Sequence, residues 1–351
     1  MGGQEKKIDL EKVQEGRSWE ELEPMFRPKG VHMGVMKCDT ESCTQCGLCV
    51  ENCPFKAWEL DENEYPRLKE DYACFSCYNC MVACPSGSIS IDTPYFAEDG
   101  SFYETQGGPL PARMPAEPKD ADGNPDQWTE VERVILERRS VRNFKPDPVP
   151  DHLIRRVLEA GRFAPSSGNC QPWRFIVITD KEFIQQMNET CQPIFNMLYS
   201  VYKDGEAVKN LVPRYVQNPR PGSYDPRVIL GGIGSLAKKD GLMFMEAPVV
   251  ILVVCDERSI GGPQIQAGIC GQNMNLAAKA LGLGFCWVGF SQVIDTIPEF
   301  KEKLGIEYPW KIHTSAVLGY PKFKQEGMVP REFRPVTWFR GKGQDPIIEK
   351  G

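Results

Sequence analysis

Long apolar runs are missing from this 351-residue chain: no stretch of 18 uncharged apolar residues occurs, and the longest, Ala247 to Cys255, is broken by Pro248. A membrane-spanning helix needs about 20 such residues, so none is expected. The opening Met1-Gly2-Gly3-Gln4-Glu5-Lys6-Lys7 is not followed by an apolar core, so no secretory leader is expected and a cytoplasmic location is. Basic clusters are missing as well. Asp and Glu outnumber Lys and Arg by 48 to 41, and without a Lys/Arg footprint nucleic acid is not an expected partner. Histidine is scarce, limited to His32, His152 and His313. None of the three stands in a motif, so no general acid is visible.

What is present is unevenly distributed. Residues 1–95 hold 17 Asp/Glu against 10 Lys/Arg, whereas the remaining 31 acids and 31 bases balance. The whole net charge of -7 therefore lies in the first quarter. Of the 14 cysteines, eight fall between positions 43 and 84 and Cys38 lies just before them. In a reducing compartment such crowding points to metal rather than to disulfides.

The first group reads Cys43-x2-Cys46-x2-Cys49-x3-Cys53-Pro54 and the second Cys74-x2-Cys77-x2-Cys80-x3-Cys84-Pro85, an internal duplication at an offset of 31 residues. Three thiolates spaced two residues apart can wrap the corners of a cubane from one loop, while the fourth comes from elsewhere. Structural zinc favours separated cysteine pairs and would leave the third Cys and the Cys-Pro of each run unexplained. The segment resembles the two-cluster ferredoxins, in which the fourth cysteine of each run ligates the other cluster. The resemblance implies one [4Fe-4S] cluster on Cys43, Cys46, Cys49 and Cys84 and a second on Cys74, Cys77, Cys80 and Cys53. Cys38 falls outside the pattern and reads as a thiol at the domain edge.

Residues 96–128 carry many prolines and glycines without periodicity and read as a semi-stiff connector. Periodic structure resumes where Thr129-Glu-Val-Glu132 forms a capping box, with Val131, Val134 and Ile135 as a stripe expected to be buried. A second helix is signalled after Pro150-Asp151. Strands are expected at 174–179, 249–255, 285–289 and 313–318, with a helix from Gln266 to Leu281. Mixed elements with few hairpin signals read as an α+β fold.

Two segments carry chemistry. Arg138-Arg139-Ser140-Val141-Arg142 can clasp a phosphate, although such runs are often solvated helix faces. Pro165-Ser166-Ser167-Gly168-Asn169 leads towards a strand and offers small polar groups suited to the edge of a planar heterocycle, or forms a plain turn. In this order and spacing, with Gln266 to Gly284, Trp287 to Phe290 and a basic tail at Arg331 and Arg334, they resemble the nitroreductase family of FMN enzymes. The whole chain then reads as a ferredoxin-like domain (1–95), a linker (96–128) and a nitroreductase-type α+β sandwich (129–351).

That resemblance implies a homodimer with FMN at the interface. Arg138, Arg139, Ser140 and Arg142 would hold the phosphate and pyrimidine edge, joined by Arg331 and Arg334. Pro165, Ser166, Ser167 and Asn169 would come from the other chain or line the ring, and Gly289 would pass near N5. A one-electron donor such as a ferredoxin and a small organic acceptor are the expected partners. Nitroaromatic or quinone reduction, reductive dehalogenation, ene-type reduction and a non-enzymatic electron-transfer subunit all remain open. Gly231-Gly-Ile-Gly234 lacks Rossmann spacing and reads as a turn. The segment 182–240, with Tyr199, Tyr202, Tyr215 and Tyr224, reads as a substrate lid or as packing.

Overall fold

The computed structural model describes residues 31–97, 118–204, 227–238, 241–324, 327–331 and 335–349. The N-terminal part contains short antiparallel pairs, β1 (Val31–His32) with β6 (Phe96–Ala97), β2 (Val35–Cys38) with β5 (Ile89–Thr93), and β3 (Trp58–Leu60) with β4 (Pro66–Leu68). Between them lie two short helices, α1 (Leu48–Glu51) and α2 (Asn79–Ala83). The duplication seen in the sequence is repeated in the backbone. Gln45 and Gly47 take positive φ (54° and 68°), and so do Ser76 and Tyr78 (52° and 57°), the residues 31 positions on. Left-handed residues turn the chain tightly at the same points of both cysteine runs.

The larger part is built on a four-stranded antiparallel sheet of β7 (Trp173–Ile178), β8 (Val249–Asp256), β9 (Gly284–Val288) and β10 (Trp310–Gly319), in the order β7-β8-β10-β9. The apolar run of β8 is explained by burial on both faces. Val250, Leu252 and Val254 enter one core cluster with Met187, Phe195 and Phe244, while Val249, Ile251, Val253 and Cys255 enter another with Val157 and Met274. Helices α4 (Asp151–Arg162) and α7 (Pro263–Ala280) cover the second face and α5 (Lys181–Lys203) the first. Among the described residues no helix is long and apolar enough to cross a membrane.

Two expectations are corrected. Helix α3 (Glu130–Glu137) has its capping box, with Glu132 N donating to Thr129 Oγ1 at 3.3 Å and Thr129 N to Glu132 Oε2 at 2.8 Å. Its stripe, however, is not buried: Val131 is 66% and Ile135 46% exposed, and the helix buries no residue. Periodicity marks an apolar face, but whether anything covers it depends on tertiary or quaternary neighbours. The second correction concerns Gly231 to Gly234, which form no turn: Arg227–Ile233 is a π-helical segment running into α6 (Gly234–Leu236). Tertiary contact outweighs the low helix propensity of glycine here.

Candidate functional site

The Arg138–Arg142 run leaves α3 in extended conformation and docks beside the edge strand β9. Val141 N donates to Phe285 O at 3.0 Å, Ser140 bridges Phe285, and Phe144 bridges Pro321. Lys322 N donates to Asn143 O at 2.9 Å. Extended backbone alternates its side chains, and the run divides accordingly. Arg139 and Val141 line a small cavity with Asn275 and Lys279, and Arg139 Nη2 donates to Gly327 O at 2.6 Å. Arg138, Ser140 and Arg142 all act on the buried thiol of Cys286 in β9.

The structure also brings Arg331 to Arg138. Burial, and then the Arg331 cation, push the Arg138 guanidinium below its ordinary pKa. Two cations held together in a partly buried place form a site for an anion, and their forks suit phosphate oxygens. Arg334 lies outside the described residues. Nothing in the spacing of Cys286 signals its place beside the arginine run in the sequence.

Beside this run opens a cleft of about 1340 Å³. One wall is Arg142 to Asp147, another is Trp287, Val288, Gly289 and Phe290, and a third is Val228, Gly231, Gly232, Met243, Met245 and Glu246. Its last wall comes from the other domain: Glu51, Asn52, Cys53, Pro54, Phe55 and Lys56. Ligand pockets commonly hold roughly 300–1,000 Å³, so this one has room for more than a single small molecule.

The loop Pro165, Ser166, Ser167 and Asn169 is not brought to this cleft. It forms an exposed 3-10 turn in which Gly168 and Asn169 have φ of 58° and 54° and Ser166 Oγ accepts from Gln171 N at 3.0 Å. It packs near Gly261, whose Cβ, if it had one, would meet Ser167 Oγ. Exposed apolar residues adjoin it: Phe163, two positions before Pro165, is 72% exposed, and Ile260, whose Cδ1 would stand 3.3 Å from a Cβ on Gly168, is 62% exposed. Tyr199 and Tyr202 lie in the last turns of α5, whereas Tyr215 and Tyr224 fall outside the described residues.

In the N-terminal domain the cysteines separate into two neighbourhoods. The Cys49 thiol feels Cys84 and Cys46, while Cys80 feels Cys77, Cys53 and Cys74. Burial pushes the Cys49 and Cys74 thiols up to about 11. Cys49, Cys53, Cys80 and Cys84 are buried, Cys43, Cys74 and Cys77 half-buried and Cys46 exposed; thiols are a soft donor set of the kind that suits iron–sulfur clusters. Cys38 does not stand apart: it lies against Cys43 and near Cys49 and Cys84. The two domains meet at the second neighbourhood, since Cys77 is acted on by Arg142 and Cys53 lines the cleft.

Residues 135–320 match the nitroreductase family, more than half of the chain. The chain belongs to the nitroreductase family. Residues 42–89 match the 4Fe-4S dicluster domain, so a dicluster domain precedes the nitroreductase domain. The chain is similar to a nitrobenzene nitroreductase of Ectopseudomonas oleovorans, 30% identical over 174 residues, which are 44% of this chain and 72% of that protein. It is also similar to a 5,6-dimethylbenzimidazole synthase of Rhodospirillum rubrum, 25% identical over 61% of this chain and 90% of that one. Among solved structures, a Desulfitobacterium hafniense nitroreductase with bound FMN is 27% identical, covering 61% of this chain and 100% of its own, with a TM-score of 0.44.

Proposed function

We propose that this nitroreductase-family chain is an oxidoreductase that accepts electrons one at a time at its N-terminal domain and delivers pairs to a small organic acceptor in the interdomain cleft. FMN and two [4Fe-4S] clusters are its resident groups. FMN, when bound, supplies the conversion between single electrons and hydride plus proton. The observation that carries this reading is the shared cleft, lined by the cluster-ligand candidate Cys53 on one side and by Arg142 and Gly289 on the other.

The residues divide the work. Cys43, Cys46, Cys49 and Cys84 hold the outer cluster, and Cys46 is exposed to an incoming donor. Cys74, Cys77, Cys80 and Cys53 hold the inner one. Arg138, Ser140 and Arg331, with Arg334, bind the FMN phosphate, Arg142 faces the ring, and Gly289 lets the backbone approach it. Arg139 supports the run through Gly327. The room in the cleft favours an enzyme over a pure electron-transfer subunit, because a second molecule fits beside the first.

Pro165, Ser166, Ser167 and Asn169 complete the site from the partner in a homodimer. The exposure of Pro165, Ser167 and Asn169 beside Phe163 and Ile260 supports this, since apolar patches on a surface mark contact faces. Nitroaromatics, quinones and activated double bonds are the acceptor classes, and reductive dehalogenation remains the second reading on the same site.

Arg138→Ala is expected to weaken FMN binding about 10- to 150-fold, the loss of one charge-assisted hydrogen bond of about 1.5–3 kcal/mol. Flavin fluorescence titration reads it, and unchanged affinity would remove the phosphate site from Arg138. The donor class is tested on the intact protein. A low-potential one-electron donor should reduce the flavin faster than NADH does. Its rate should fall with added salt, because Asp39, Glu41, Glu62, Glu64, Glu70 and Asp71 are exposed on the N-terminal domain. Faster reduction by NADH would overturn the reading.

A further inference from the structure

The glycine pair Gly231-Gly232 sits in a helical turn, although glycine is a poor helix former. Its surroundings supply a reason. A Cβ on Gly231 would stand 2.6 Å from Phe55 Cε1 and 2.9 Å from Phe75 Cε2, closer than side-chain carbons approach. Both rings belong to the N-terminal domain, and both adjoin one cysteine set: Phe75 follows Cys74, and Phe55 follows Cys53-Pro54.

The rings are not free to swing aside. Phe55 meets Phe75 edge-on at 4.9 Å and 79°, and Phe75 meets Tyr95 at 5.3 Å and 70°. Tyr95 N donates to Ser76 Oγ at 2.7 Å, and Gly34 N to Cys74 O at 2.8 Å, so the backbone behind the rings is fixed. Gly231 itself is buried, and the same residue lines the cleft.

We propose that Gly231, Phe55 and Phe75 form the joint that sets the separation between the Cys74, Cys77, Cys80 and Cys53 set and the flavin-facing wall of the cleft. Gly231 is then a positioning residue: it touches no reacting atom, and it decides how near the inner cysteine set can seat. The inference rests on the proposed entry of electrons through the N-terminal domain. Electron transfer between groups that are not in contact falls off steeply with their separation, so seating the inner set further from the cleft wall slows the step.

The test uses full-length Gly231→Ala carrying its iron, sulfide and flavin. Two readouts are taken. Amide hydrogen exchange at residues 53–57 and 74–78 reports the seating without any electron moving, and it should rise in the variant. Rapid mixing with a one-electron donor should show clusters reduced at the wild-type rate and flavin reduced several-fold more slowly. Adding Phe55→Leu, which makes room for the methyl group, should restore both readouts towards wild type. General damage to the fold would not be rescued that way and would contradict the joint.

Exchange and flavin reduction both unchanged in Gly231→Ala would overturn the proposal. Wild-type protein whose clusters are reduced while its flavin is not would instead overturn the electron-entry reading. The exchange data would then judge the joint by themselves.

Discussion

Cys53→Ser is expected to damage the cluster held by Cys74, Cys77 and Cys80, and to leave the one nearest in sequence intact. The anaerobic wild-type protein should carry about eight iron and eight acid-labile sulfide per chain, and the variant should lose up to about half of each. The argument is spatial. Cys53 ends the first run, but the thiols it acts on are Cys74, Cys77 and Cys80, while Cys49 is paired with Cys84 from the second run. Cys53 is also buried, with Ala57 N donating to its sulfur at 3.3 Å, so a serine there has no freedom to reach another partner. Spectra showing loss of the Cys43, Cys46 and Cys49 signal instead would refute the exchange of ligands. Two zinc ions and no sulfide would refute the clusters altogether.

The same variant carries a functional consequence. If the inner cluster is the one facing the cleft, its loss should cut off electrons arriving from a one-electron donor although the outer set and the flavin site are intact. Cys46→Ser, at the exposed outer set, should chiefly slow the arrival of electrons from the donor.

Much of this architecture was legible because it follows local rules. The cysteine runs declare themselves by spacing. β8 declares itself by an apolar run bounded by Pro248 and Asp256, and α3 by its Thr129–Glu132 capping box. The strand read at 313–318 extends in the structure to Trp310–Gly319, because pairing with β8 continues past the bulge between Ile312 and Thr314. What could not be read depends on contacts between distant segments. The stripe of α3 has the periodicity of a buried face, but the fold leaves Val131 and Ile135 exposed and Val134 only half-buried. Gly231 and Gly232 have the composition of a turn, and only the presence of Phe55 and Phe75, over 150 positions earlier, explains why a helix is held there. The gathering of Arg138 with Arg331 and the placing of Cys53 opposite Gly289 are likewise products of the fold, since neither leaves a mark in local sequence.

The central claim is that electrons enter the flavin through the N-terminal domain. Its most direct test is rapid-mixing reduction by a low-potential one-electron donor, comparing the whole chain with one beginning at Gln127, both loaded with FMN. The shortened chain keeps Arg138, Ser140, Arg142, Gly289 and Arg331 but loses all eight cluster cysteines and the acidic surface, and it opens the cleft wall made by residues 51–56. The account predicts that flavin in the whole chain is reduced at least about tenfold faster, in keeping with electrostatic steering of the donor, and that the advantage shrinks as salt is raised. Equal rates for the two chains would contradict it.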